Sequence, residues 1–247
     1  IIKEGVPVIT AATGEPLEII ERRAEELGAD VFVCGEDFSS QIFFPSGGGQ
    51  CVAFHSVVCR EPEPFELALA GVHQAENAAL VIMAAKLLER EDVRVTEKAI
   101  RTALRTVRHP ARFEILANEG VPVVIDGAHN PAGMRALRMG LDTYFPDLPR
   151  VFLLGILKDK DIDTMLAALL RPGDQVVTVR PNSERAAAVD VVAAVAAGMG
   201  LVTVACDDRA KGLDEAVRRA HVRSALLVVA GSLYLVGDIR AMLTAGR

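Results

Sequence analysis

The sequence predicts an α/β protein in two parts, the second built on a mostly parallel, doubly wound sheet. Three observations carry this. Apolar runs at Val121–Ile125, 151–154, Gln175–Val179, 201–205 and 225–230 are each followed by a segment of helical periodicity, the alternation that a parallel sheet requires. Upstream the pattern is different, with turn-rich, alternating stretches followed by two helical ones, and His109-Pro110 marks the change. Finally, 247 residues of which 51% are hydrophobic can fill the cores of two ordinary domains.

In order along the chain, residues 6–12 form a β-branched run that ends at Thr13-Gly14-Glu15-Pro16. Pro16 in a first turn opens an amphipathic helix that runs to Leu27 and stops at Gly28. Residues 31–34 are the next strand. Residues 41–69 alternate or run apolar around Ser46-Gly47-Gly48-Gly49, which signals a hairpin in a small β subdomain. Leu80, Met83, Ala84 and Leu87 recur at helical spacing and place Asn77 on the same inward stripe. A second helix is expected over residues 96–107, with Thr96 as its cap. Residues 113–116 read as a linker strand before the parallel sheet.

Composition removes several functions. A net charge of −6 without a Lys/Arg run leaves no electrostatic footprint for nucleic acid or an anionic membrane. The apolar stretch 224–236 is too short to span a bilayer as a helix. Ile1 is not an initiator Met and no signal-peptide succession follows, so the chain is expected to begin within a longer protein. Cys34, Cys51, Cys59 and Cys206 form no Cys-x-x-Cys pair, which predicts reduced thiols and a cytoplasmic protein.

Ligands of doubly wound sheets bind beyond the carboxyl ends of the strands, so the residues just after each strand matter most. Asp126-Gly127-Ala128-His129-Asn130-Pro131 sets a carboxylate, an imidazole and an amide between a buried strand and a helix N-terminus that attracts anions. The competing reading makes Asp126 and Asn130 helix caps. Arg112 precedes the linker strand, where a guanidinium clamps a phosphate or carboxylate, or forms a surface ion pair. His73 and Asn77 lie one helical turn apart, and an inward Asn amide matches the donor and acceptor of adenine unless it serves as a cap. Ser232 follows the last strand without a hydrolase Gly-x-Ser-x-Gly setting, and donates to a ligand or caps a helix. Lys158-Asp159-Lys160-Asp161 is a solvated loop with Asp161 capping the next helix.

Two apparent sites dissolve. Gly47-Gly48-Gly49 is followed by Gln50-Cys51, not by the Gly-Lys-Ser/Thr of a phosphate loop, so it is a turn. Cys51, His55 and Cys59 on an extended strand stand roughly 13 Å apart, too far to share a metal ion.

Taken together, Gly71-Val72-His73-Gln74-Ala75-Glu76-Asn77-Ala78, Ala111-Arg112-Phe113-Glu114, the 126–131 segment, Asp159-Lys160-Asp161 and Gly231-Ser232-Leu233-Tyr234 resemble, in that order, the folylpolyglutamate/dihydrofolate synthase family of Mur-type ligases. The resemblance covers essentially the whole chain. It implies that residues 1–108 are the C-terminal part of a central ATPase domain and 109–247 a Rossmann-like C-terminal domain, with ATP held between them. Carried over by position, His73 and Asn77 meet adenine, Arg112 the phosphates, Asp126 and His129 the nucleotide, and His129, Asn130 and Ser232 lie near the incoming glutamate. Arg112 and His129 are the implied catalytic pair.

The implied reaction activates a folate or dihydropteroate carboxylate with ATP as an acyl phosphate, which the amine of L-glutamate attacks. The family's phosphate-loop Lys, its Mg²⁺ ligands and its carbamylated lysine are expected upstream of Ile1, so this stretch by itself is expected to be inactive, and the full-length enzyme a monomer. His109-Pro110-Ala111 stands where the family usually has Trp-Pro-Gly, which weakens the Arg112 assignment slightly. Alternatives are another Mur-type amide ligase, acting on a peptidoglycan precursor or cyanophycin, and a truncated, non-catalytic nucleotide-binding module.

Overall fold

The computed structural model describes residues 1–46, 49–59, 61–90, 95–118 and 120–245. The chain divides into two compact units, Ile1–Arg108 and His109–Arg247.

The first unit opens with β1 (Val8–Thr10), α1 (Glu15–Glu26) and β2 (Val31–Val33), and β1 and β2 pair in parallel with Val8 opposite Val31. Pro16 sits in the first turn of α1, where no amide partner is needed, and Gly28 takes the left-handed conformation (φ 57°) that ends the helix. Next come β3 (Phe38–Ser46), β4 (Gly49–Ser56) and β5 (Glu63–Leu67), a three-stranded antiparallel sheet. Ser46 pairs with Gly49, while Gly47 and Gly48 of the expected hairpin lie outside the described residues.

Two helices, α2 (Val72–Arg90) and α3 (Glu97–Thr106), complete this unit, packing Ala79, Ile82, Met83, Ile100 and Leu104 against Phe54 and Phe65. Thr96 caps α3, its hydroxyl accepting the Ala99 N–H at 3.2 Å. The Arg101 guanidinium lies 4.5 Å from the centre of the Phe65 ring.

The second unit runs β6 (Glu114–Asn118), β7 (Val121–Ile125), α4 (Pro131–Tyr144), β8 (Arg150–Leu154), α5 (Ile162–Leu169), β9 (Gln175–Val179), α6 (Val189–Gly198), β10 (Val202–Cys206), α7 (Arg209–Val222), β11 (Leu226–Ala230) and α8 (Leu233–Thr244). Its six-stranded sheet has the order β10-β9-β8-β11-β7-β6, parallel except for the β6–β7 hairpin. Every residue of β8 and β11 is buried, because helices cover both faces, and the two strands therefore read as unbroken apolar runs.

One face packs Val123, Ile125, Leu153, Val177 and Val229 against Ala216 of α7 and Leu235 and Ile239 of α8. Alternate residues, Val124, Phe152 and Val228, point to the other face, where Met134 and Leu137 of α4 and Met165 and Leu166 of α5 are also fully buried. Each such side chain contributes about 1.5–3 kcal/mol on leaving water.

Strand order positions the site. The last strand, β11, enters between β7 and β8, and its helix packs on the opposite face from the helices that follow those two. The chain therefore parts to opposite sides at the carboxyl ends of β7, β11 and β8, which opens a crevice there.

Candidate functional site

Three glycine-bearing turns meet at that edge: Asp126-Gly127 after β7, Gly231-Ser232 after β11 and Gly155 after β8. They are laced by backbone hydrogen bonds from Asp126 N–H to Val229 O (3.0 Å), Gly231 N–H to Ala128 O (3.0 Å) and Gly155 N–H to Ala230 O (3.3 Å). Gly231 has φ 113°, and a Cβ there would stand 2.8 Å from the Gly155 carbonyl oxygen, so only glycine fits. Helices α4 and α8 both begin at this edge. Asn130 caps the first, its Oδ1 accepting Gly133 N–H at 2.7 Å, and Ser232 caps the second, its Oγ accepting Leu235 N–H at 3.2 Å. Two helix N-termini on one rim make it attractive to anions.

Asp126 does not cap α4, the competing reading of its carboxylate. It is 5% exposed, and its carboxylate accepts Phe113 N–H on one oxygen and Ala128 N–H on the other, each at 2.8 Å. It ties the start of the β6–β7 hairpin to the end of β7. The sequence gives no sign of this because the bond depends on the hairpin register, which pairs Glu114 with Ile125.

Arg112 sits in an unusual stretch of backbone. Ala111 (φ 59°) and Phe113 (φ 45°) both occupy the left-handed region, which costs non-glycine residues about 1–3 kcal/mol each. The surrounding structure holds them. The Phe113 ring is buried against Tyr144, with ring centres 5.3 Å apart, and fills the notch left by Gly140, where a Cβ would stand 2.5 Å from Phe113 Cε2. The Ala111 carbonyl accepts Gly127 N–H at 2.8 Å, and its own N–H donates to Glu114 Oε2 at 2.9 Å.

Glu114 in turn takes both prongs of Arg240 on α8, Nε at 2.8 Å and Nη2 at 2.9 Å. Burial pushes the Glu114 carboxyl up, but hydrogen bonds from Arg240 and the Ala111 amide outweigh it and hold the group below its ordinary value. The half-buried Arg112 guanidinium reaches the end of β7, where a Cβ on Gly127 would be 3.7 Å from its Nη1.

His129 is half-buried, with Nδ1 2.8 Å from the Gly127 carbonyl. A carbonyl only accepts, so Nδ1 carries a hydrogen, and in the neutral imidazole Nε2 is then the acceptor. Asn130 is exposed, whereas Ser232 is 1% exposed and is occupied as a cap. Thus Arg112, Asp126, His129, Asn130 and Ser232 gather at one end of one sheet. Further along the loop after β8, Asp159 pairs with Arg185 at 2.7 Å, and Asp161 caps α5 by accepting Thr164 N–H at 3.1 Å.

His73 and Asn77 belong to the first unit, on the first two turns of α2. The inward orientation expected for Asn77 is not observed: it is exposed, and the buried stripe runs through Ala75, Ala78, Ala79, Ile82, Met83 and Leu87. The alanines, not the larger residues, face the sheet in the first two turns. Gln74, not among the candidates, links the pair, with Nε2 3.0 Å from His73 Nε2 and Oε1 accepting from Asn77 Nδ2 at 3.4 Å. Its signal was the spacing, since positions 73, 74 and 77 share a helix edge.

A cleft of about 610 Å³ between α7 and α8, lined by Leu213, Val217, His221 and Met242, lies at the far end of α8 from Ser232 and shares none of these residues. Among the described residues no group of three or more His, Cys, Asp or Glu is placed to hold a metal ion. No helix among them is long and apolar enough to cross a membrane.

Residues 111–233 match the family described as Mur ligase, glutamate ligase domain. Among curated proteins, the chain is 37% identical over 185 residues to the probable bifunctional folylpolyglutamate synthase/dihydropteroate synthase of Halobacterium salinarum, covering 72% of this chain and 21% of that protein. It is 29% identical over 258 residues to the dihydrofolate synthase/folylpolyglutamate synthase of Bacillus subtilis, covering 98% of this chain and 56% of that one. Among solved structures it is similar to Mycobacterium tuberculosis folylpolyglutamate synthase complexed with ADP and AMPPCP (TM-score 0.83, 25% identity, 96% of this chain and 55% of that). The folylpolyglutamate synthase of Thermotoga maritima is similar over 100% of this chain and 56% of its own (TM-score 0.79, 29% identity). The chain thus spans little more than half of the Bacillus enzyme and of both structures, and about a fifth of the Halobacterium protein.

Proposed function

Because the chain belongs to the folylpolyglutamate/dihydrofolate synthase family of Mur-type ligases, we propose that it is part of an enzyme that uses ATP to join L-glutamate to a folate or dihydropteroate carboxylate. In this reading residues 1–108 belong to the ATP-binding domain and 109–247 form the glutamate ligase domain. Phosphoryl transfer from ATP gives an acyl phosphate. The glutamate amine then attacks the acyl carbon, the C–N bond forms, the C–O bond to phosphate breaks, and the amine loses a proton.

The observation that carries the reading is the gathering of Arg112, His129 and two helix N-termini at the carboxyl edge of β7 and β11. A guanidinium beside helix N-termini suits the charge that builds on a transferring phosphoryl group, and its value lies in being held in place beforehand. His129, its Nδ1 hydrogen fixed on Gly127, offers Nε2 to take the proton that the amine must lose. Asn130 presents its amide to the glutamate, and Ser232 acts through the helix it caps. Asp126 serves as the brace of the Arg112 turn in addition to any contact with nucleotide. His73, half-buried, and Asn77, exposed, both on α2, are suited to an adenine edge.

Among the described residues no group of three or more His, Cys, Asp or Glu is placed to hold the Mg²⁺ that accompanies ATP, and in this reading its ligands come from another part of the enzyme. The four cysteines are free thiols, in keeping with the cytoplasm, where folates are elaborated in this reading.

The test is ATP- and glutamate-dependent ligation by the complete protein carrying this chain, followed by mass spectrometry with dihydropteroate, folate and a muramyl-peptide substrate. A gain of one glutamyl residue on the first or second supports the reading. Extension of the muramyl peptide alone makes it a peptidoglycan-precursor ligase, and ATP binding without any ligation makes it a non-catalytic module.

A further inference from the structure

We propose that Glu114 and Arg240 are positioning residues that fix Arg112 from behind, an inference that rests on the ligase reading of the same site. Arg112 lies between two left-handed residues, Ala111 and Phe113, and such backbone persists only where its neighbours over-determine it. On the Phe113 side the hold is double: its N–H donates to Asp126 and its ring fills the notch over Gly140. On the Ala111 side the carbonyl accepts the Gly127 N–H at 2.8 Å, and the N–H is held by the Glu114 side chain at 2.9 Å.

A single flexible carboxylate would be a poor clamp, but both oxygens of Glu114 are gripped by the planar fork of Arg240, which sets the carboxylate plane as well as its position. Arg240 lies on α8, the helix whose opening turn, capped by Ser232, forms part of the rim that Arg112 serves. One rigid helix thus contributes an anion-attracting terminus to the site and, two turns later, the anchor for the arginine.

The competing account is a plain structural tie between β6 and α8, and the two differ in coupling. A tie lowers stability whatever occupies position 112. A positioning residue has nothing left to position once Arg112 is gone, so its effect on turnover vanishes in the Arg112→Ala background.

The experiment takes the complete protein with Glu114→Gln, Arg240→Met, Arg240→Lys and Arg112→Ala, singly and with each of the first two combined with the last. It measures kcat, KM for each substrate, and hydrogen exchange of segment 111–113. Expected are a kcat lower by roughly tenfold or more in Glu114→Gln and Arg240→Met with unchanged KM for the folate, and an intermediate value in Arg240→Lys, which keeps charge but loses the fork. Faster exchange over 111–113 accompanies both losses, and neither double variant falls below Arg112→Ala.

Additive losses in the double variants, unaltered kcat in both singles, or unaltered exchange over 111–113 overturn the inference. A wild type that glutamylates no folate sinks the ligase reading instead. The inference is then decided by ATP affinity in the same variants: a loss in Arg112→Ala that Glu114→Gln reproduces upholds it, and any other pattern rejects it.

Discussion

The Asp126 carboxylate holds the backbone of Phe113, thirteen positions earlier, through a 2.8 Å bond to its N–H, while its other oxygen holds the Ala128 N–H at 2.8 Å. Both oxygens of a 5% exposed carboxylate are therefore spent on backbone donors. Asp126→Asn keeps one acceptor and turns an NH₂ toward a donor. The expected loss is about 2–3 kcal/mol of unfolding free energy without any ligand, read by urea unfolding. A variant as stable as the parent would show that the residue braces nothing.

Arg112→Ala removes a guanidinium that makes its main contribution where transferred charge peaks. The expected result is a fall in kcat of about a hundredfold with KM for the folate nearly unchanged, measured in the ligation assay. A rise in KM with normal kcat would reassign the residue to ground-state binding.

Gly140→Ala ordinarily gains about 1 kcal/mol in a helix interior. Here the new Cβ would stand 2.5 Å from Phe113 Cε2 and 3.1 Å from Cδ2, so overpacking by about 1–3 kcal/mol reverses the sign. Thermal unfolding should show a lower Tm for Gly140→Ala. Combining it with Phe113→Leu should cost less than the two single losses added together.

Glu215 on α7 accepts from Arg218 (Nε and Nη2, 2.8 Å each) and from Arg219 Nε (2.6 Å), and these hydrogen bonds lower its carboxyl from 4.5 to about 2. A carboxyl held lower in the folded chain contributes stability that is present above its ordinary pKa and lost as pH falls from about 4.5 through about 2. Glu215→Gln should cost about 1 kcal/mol at pH 7, a figure kept small by solvent screening, and only a small part of that near pH 2. Urea unfolding at both pH values checks this, and an equal difference at both would mean the loss is packing, not charge.

Much of the second unit was legible because its strands are buried on both faces. Val121–Ile125 and Gln175–Val179 stand in the structure with the bounds the apolar runs implied, and Thr96, Asn130 and Asp161 cap helices as their residue types foretell. The errors lie where one residue type permits two roles. A stripe through Leu80 and Ala84 puts Asn77 inward, whereas Ala75, Ala78 and Ala79 supply the buried face, and alanine is too small to announce which side it is on. The Arg112 turn was invisible for another reason: Ala111 and Phe113 carry none of the glycine signal that marks left-handed backbone. The long-range partners that hold them, Asp126, Gly140 and Arg240, become neighbours only in the assembled sheet.

The placement of β11 between β7 and β8 also governs how the second unit comes into being on the ribosome. Residues 121–125 and 150–154 are made early, yet neither strand meets its shared neighbour until residues 226–230 have emerged. During that interval the nascent unit presents two apolar strand edges with no partner, the condition under which newborn chains associate wrongly and recruit chaperones. Closure of the sheet and completion of its functional rim are therefore one late event, because a chain halted before residue 226 holds β6–β7 and β8–β9–β10 without the strand that joins them.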